Sequence, residues 1–499
     1  MKSTNPLSQW IAYAVIVAML AGNVSPAYAA SSIKINGSGT GDSNTWASGS
    51  ASTSYLHTER TDDSRNYTDW VVSPLNDTVT LTGGTLTTSG LYQNGALYAS
   101  GGNLNVSSGQ LHIASGSYIN SGANLTLGSG ATLIQTGGNV TINSDNDNID
   151  SGTILATGGN LSFTGGTHTI KSGSNISNNL SITGGSVAFA NADSLNISLA
   201  NSASVSFNGG TLSKNITDTG STTFNNTVTN TASIQQNFVA NNGTLTNNGT
   251  ITAGLANNTN STILGNGSIT AGTGTSVNNG TITQNSLTNN GTFTSNGKIT
   301  LTNGLTNNAY ATFNNNALLL ANVTNKSNST LNSDPDNLGK DVANNGTLNL
   351  NADGTLSVNV TGTGDTNISG NLENEGTISQ KDVTIASSKV VTTSASDITA
   401  THEINNSGVI DYTGGSTANT INGTGRIVIT GYVTNTGDIN QTQVNNSSVF
   451  INNGTVDANL VNTGSLEGTG DYTTKTGLSS NSGVIEQANL TNKGTFDNN

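Results

Sequence analysis

The chain has 499 residues, of which only 8% are charged, and its net charge of −14 is thinly spread. With 14 Lys and Arg against 28 Asp and Glu and no basic patch, nucleic acid and anionic membrane lipids are excluded as expected partners. The absence of Cys removes disulfide staples and thiolate zinc sites, and a hydrophobic share of 32% with 61 Gly allows only a thin, distributed core.

Residues 1–29 read as a secretory signal peptide. Lys2 gives a positive start, Trp10 to Leu20 is apolar, and "SPAYA" ends in a small-x-small pattern with cleavage expected after Ala29. The apolar run is too short to span a bilayer, so the expectation is export without direct membrane insertion by this chain. Residues 30–77 hold Trp46, Trp70 and a charge cluster of Glu59, Arg60, Asp62, Asp63, Arg65 and Asp69, which reads as an N-terminal cap bordered by Pro74.

From 78 to 215 the unit Gly-Gly-x-Φ-x-Φ recurs, where Φ is apolar, as "GGNLNV" (101–106), "GGNVTI" (137–142), "GGNLSF" (158–163) and "GGSVAF" (184–189). Its steps cluster near twenty residues. From 216 to 499 the unit becomes Φ-x-Asn-x-Gly-x-Φ, as in "LTNNGTI" (245–251), "LTNNGTF" (287–293) and "LTNKGTF" (490–496), with looser spacing. The segment "NSDPDNLGKD" (332–341) breaks the pattern and reads as a protruding loop or a join between blocks.

Alternation of Φ with polar residues is the signature of a strand with one buried face. Gly and Asn supply the corners, since Gly adopts positive φ at no cost and Asn bonds nearby backbone. Helix periodicity is absent after the leader. Short strands, frequent corners and a repeat near twenty residues predict an all-β fold: a parallel β-solenoid, or β-helix, of roughly 20-residue coils with an N-terminal cap. Asn at the corners is expected to stack into ladders from coil to coil.

Candidate chemistry is sparse. His57, His112, His168 and His402 lack metal spacing and read as surface residues. Asp145, Asp147 and Asp150 in "SDNDNID" resemble the start of a calcium loop, but Gly and Glu are missing from the positions that complete one, and a solvated turn is expected. No cofactor is expected. Glu373 and Glu375 share a strand face, the minimum for a glycosidase pair. Thr-Φ-Thr triplets such as Thr250-Ile251-Thr252 would suit ice if held in strict register. Discrete ligand contacts are expected at Tyr55, Tyr67 and Trp70 in the cap, or at Asp334, Asp336 and Lys340 in the 332–341 segment, because loops on rigid scaffolds carry function.

The leader ending in "AYA", the lack of Cys, the Gly/Asn/Thr/Ser texture and the Φ-x-Asn-x-Gly-x-Φ repeats resemble the β-helical passenger regions of bacterial autotransporters and filamentous-haemagglutinin-like surface adhesins. The resemblance covers the chain after about residue 78 and implies a right-handed β-helix, exported to the cell surface in association with the outer membrane or released outside the cell. It also implies a role in cell adhesion or surface display, with a host or neighbouring cell surface or extracellular polysaccharide as partner. Autotransporters end in a membrane β-barrel, whereas residues 490–499 lie within a repeat, so the expectation is a fragment, or a protein secreted or anchored by another route. The competing expectations are a β-helical polysaccharide-degrading enzyme and a self-associating matrix or ice-binding protein; the primary reading is a binding scaffold that is not an enzyme.

Overall fold

The computed structural model describes residues 153–499 throughout and, before them, residue 143 and the strands at 33–35, 79–88, 91–92, 97–106, 109–112, 117–119, 123–127 and 131–142. The expected leader with Ala29, the cap residues Tyr55, Tyr67 and Trp70, and the aspartates Asp145, Asp147 and Asp150 lie outside the described residues. Of the expected cap only Ile33–Ile35 is described, pairing in parallel with Val79, Thr80 and Leu81.

The fold is an all-β parallel solenoid, and among the described residues the only helical pieces are two three-residue 3-10 turns. The chain divides into two compact units, 1–208 and 209–499.

In the first unit, Asn160–Phe163 pairs in parallel with Asn179–Ile182, and Ser186–Phe189 pairs with Ser204–Phe207. Rungs lie 18 to 21 residues apart. Within "GGNLSF", Leu161 and Phe163 are buried and Asn160 is exposed, the alternation the sequence predicts. Phe189 stacks on Phe207 at 5.1 Å between ring centroids. His168 departs from expectation. It is fully buried, its ring lies 4.8 Å from that of Phe163, and Nε2 donates to the Gly165 carbonyl oxygen at 2.7 Å. In "THTI" it falls two residues before Ile170, on the inward side of the strand.

In the second unit each coil makes three short strands on three faces. Ser268–Ala271, Thr275–Asn278 and Thr281–Gln284 form one turn, and they pair in parallel with Ser286–Asn289, Thr292–Ser295 and Ile299–Leu301 of the next. Rungs here are typically 18 residues apart, as between Asn289, Asn307 and Asn325. The coil is thus about 18 residues, shorter than the roughly twenty expected from the sequence.

The core is a set of columns. Ile251, Ile269, Leu287, Leu305 and Val323 follow one another in register, all buried. On the next face Phe293 stacks on Phe313 at 5.2 Å and 7°. No coil can bury its apolar side alone; the neighbour above and below does so.

The Asn of Φ-x-Asn-x-Gly-x-Φ sits inside. Asn289, Asn307, Asn325 and Asn344 are fully buried, and each Nδ2 donates to the next Oδ1 at 2.7–2.8 Å. Nδ2 also donates to a backbone carbonyl beyond, as Asn307 does to Thr330 at 2.9 Å. Where the corner is tight, Oδ1 accepts from the N–H two residues on, as Asn435 does from Gly437 at 3.1 Å. A buried amide is tolerable when its donors and acceptors are met, and stacking meets them from Asn289 to Asn344, whereas the buried Oδ1 of Asn315 and of Asn374 has no partner.

A second device crosses two coils. Asn247, Asn344 and Asn406 donate to the Oε1 of Gln284, Gln380 and Gln441 at 2.7, 2.6 and 2.7 Å across separations of 37, 36 and 35 residues. The coil between supplies a glycine at that rung, Gly265, Gly362 or Gly423, with φ of 117°, 129° and 130°. A Cβ at Gly423 would lie 2.1 Å from the Asn406 carbonyl oxygen, so only a residue without a side chain leaves the passage open.

Residues 332–341 form a corner of the coil, not a protrusion or a join. Thr330–Ser333 is a strand paired on both sides, Pro335–Asn337 is a 3-10 turn with Pro335 buried, and Leu338 bridges Leu319.

Candidate binding surface

The outward sides of the second unit carry the groups that can meet a partner. One column reads Thr252, Thr270, Thr288, Thr306 and Thr324 on successive rungs, followed by Ala343, Thr361 and Ser379. The loose sequence spacing thus hides a strict register for Thr on one face. The column beside it is mixed, reading Thr250, Ser268 and Ser286 before Gly304 and Asn322. On the next face Asn314, Asn332, Asn349 and Asn367 form an outward amide ladder joined at 2.7–2.8 Å.

Charge is gathered at one place. Asp365, Asp382 and Glu403 occupy successive rungs of one outward column. Lys381 Nζ lies 2.7 Å from Asp382 and 4.0 Å from Asp365, and His402 Nδ1 is 2.6 Å from Asp382 Oδ1. Glu403 accepts from Asn405 at 2.8 Å and from Asn422 at 2.9 Å. Burial pushes the Asp382 carboxyl up, but bonds and charge from Lys381 and His402 outweigh it and leave the group below its usual 3.8. The hydrogen bond to Asp382 raises Lys381 in turn. The arrangement is a connected network of three carboxylates around one Lys and one His on adjacent rungs about 4.8 Å apart.

This fixes a pH dependence. A carboxyl held below its unfolded value adds stability that is complete above that value and is lost as the pH falls through the lower folded one. Asp382→Asn is therefore expected to melt below the parent at pH 6, with the gap closing in acid as the pH falls below 3.8 and through the lower folded value. Thermal melts between those limits check it; a gap that persists in acid would show that packing, not charge, carries the effect.

The contacts expected at 332–341 are placed as follows. Asp334 is half-buried, while Asp336 and Lys340 are exposed. Asp336 Oδ1 accepts the Thr355 N–H at 2.7 Å, so its carboxylate ties this corner to the next coil. Asp341 does the same for Asn359, and Asp353 for Asn371, whose backbone bond lowers the Asp353 carboxyl. Glu373 is exposed on its strand and Glu375 Oε2 accepts from Ser357 at 3.0 Å. Among the described residues no three His, Cys, Asp or Glu are grouped to hold a metal ion.

Among the features that escaped the sequence reading are the Asp365–Glu403 network and the exposed rings of Phe238 and Tyr310. Strand Ser233–Asn241 slips register against Thr250–Asn257 between Gln235 and Phe238. The slip turns Phe238 outward, 39% exposed, over an open groove of about 730 Å³ floored by Gly254 and Gly272 and bordered by Asp218, Gln235, Asn237 and Thr273. Further along, Tyr310 is 83% exposed with φ of 65°.

No family model, curated protein or solved structure matches this chain.

Proposed function

We propose that the protein is an exported scaffold of the adhesin type, displaying polar sheet faces at a bacterial cell surface or in the extracellular space. Its partner is a neighbouring or host cell surface, or the polysaccharide that coats one. The observation that carries this reading is the in-register repetition of outward Thr and Asn columns, which offers the same weak contact at every rung. Contacts that are individually small become strong when many engage together, through effective concentration. The reading assigns binding rather than turnover, and the Asp382 carboxylate at the centre of the charged column is paired internally with Lys381 and His402.

Beads coated with the full chain are expected to adhere to epithelial or bacterial cells at least tenfold above bare beads, and soluble monomeric chain to compete poorly. Adherence no better than bare beads overturns the reading. Release of reducing sugar from a polysaccharide panel would replace it with an enzyme.

A further inference from the structure

We propose that one corner of the second unit, from Asp218 to Tyr310, is a binding track for a neutral glycan chain, with Phe238 and Tyr310 as its stacking platforms. The proposal names a ligand class for the display surface and rests on that reading.

Phe238 is out of place by the logic of its own column. The outward positions that follow it on successive rungs are Gly254, Thr275, Thr292 and Thr312, small or hydroxylated, whereas Phe238 presents a ring to solvent. The groove below it is within the size range of small-ligand sites. It offers one aromatic face, the side-chain amides of Gln235 and Asn237, the Thr273 hydroxyl and the Asp218 carboxylate. An apolar face flanked by planar amides and a carboxylate is complementary to a pyranose, which has a C–H face and a rim of hydroxyls. Asp218 is the sole charged side chain lining the groove, and the chain carries −14 overall, so uronic or sulfated sugars would be repelled.

Tyr310 gives the second, independent observation. Its turn closes with Ala311 N–H donating to Asn308, and the same closure recurs at Ser174, Ser261, Ser329 and Lys389. In those four turns the residue with positive φ is Gly173, Asn260, Asn328 and Ser388. A bulky aromatic in the left-handed region is strained, and at 83% exposure the ring gains no packing to offset the strain. Strain of this kind concentrates where function requires it.

The two rings flank the same corner. Tyr310 stands two residues before Thr312, which is four rungs along the column from Phe238, a span of about 19 Å at about 4.8 Å per rung. That is the length of a short oligosaccharide, and the corner between the rings presents Gly274, Asn290 and Gly291 without a bulky side chain.

The test is affinity electrophoresis of the full chain in gels containing hydroxyethylcellulose, laminarin, galactomannan or dextran, with carboxymethylcellulose and alginate as acidic comparators. At least one neutral gel is expected to retard the protein. Phe238→Ala and Tyr310→Ala should each weaken retardation at least tenfold. Tyr432→Ala, at an exposed Tyr on another corner, should leave it unchanged. Tyr310→Asn should lose binding while raising the melting temperature, which a misfolded variant would not do. No retardation in any neutral gel, retardation in acidic gels alone, or equal retardation of parent, Phe238→Ala and Tyr310→Ala overturns the proposal. Beads that adhere to cells without any gel retardation leave the adhesin reading intact and remove only the ligand class.

Discussion

Asn325→Ala is expected to cost about 1–3 kcal/mol, measured as the shift in the urea midpoint followed by circular dichroism. Asn325 is fully buried. Its Oδ1 accepts from Asn307 at 2.8 Å and from Ser329 at 2.6 Å; its Nδ2 donates to Asn344 at 2.7 Å and to the Thr347 carbonyl at 3.1 Å. Alanine leaves Asn307 and Ser329 with other acceptors, at Thr330 and Lys326. It strips the Asn325 donor from the buried Asn344 Oδ1 and from the part-buried Thr347 carbonyl. An unmet buried polar group costs about 1–3 kcal/mol, which sets the range. Thr324→Ala, one residue away and outward, is the control and should stay within about 0.5 kcal/mol. If both variants behave alike, the ladder fixes register without adding stability.

Gly423→Ala should be more damaging, by more than about 3 kcal/mol. The backbone strain at φ 130° alone is worth about 1–3 kcal/mol. The added Cβ also meets the Asn406 carbonyl oxygen at 2.1 Å and its carbon at 2.8 Å, and backbone cannot swing aside as a side chain can. Opening the coil to admit it breaks the Asn406–Gln441 bond. The matched control is Gly274→Ala, where nothing lies within 4 Å and φ is not positive, and a near-neutral effect is expected. A mild Gly423→Ala would mean that the crossing is easily rearranged.

The strand alternation was legible because Gly-Gly-x-Φ-x-Φ has one physical solution, and Leu161, Phe163, Val187 and Phe189 are buried accordingly. The inward Asn was also written in the sequence: Asn247 follows Leu245 by two residues, so period two places both on one side, although composition argues for solvent. His168 before Ile170 obeys the same rule. Tyr310 could have been singled out by aligning "NNAYAT" with "NNTNST" and "NKSNST", where Asn fills the left-handed position. The groove beneath Phe238 and the Asp365–Glu403 column were not legible. Both depend on which residues meet across coils, and a one-residue slip decides that without leaving a local mark.

The glutamine crossings bear on how the second unit comes apart. An array in which each repeat touches only its neighbours unzips one repeat at a time, with an energy that is a sum over adjacent pairs. The bonds from Asn344 to Gln380 and from Asn406 to Gln441 add a term between repeats that are not adjacent. Fraying that reaches either member of such a pair must release the intervening turn as well. Amide exchange should then fall into blocks of three turns around Gly265, Gly362 and Gly423, and around Gly468 where Gln487 reaches the Asn452 carbonyl, and a pulling experiment should record the same unequal stride.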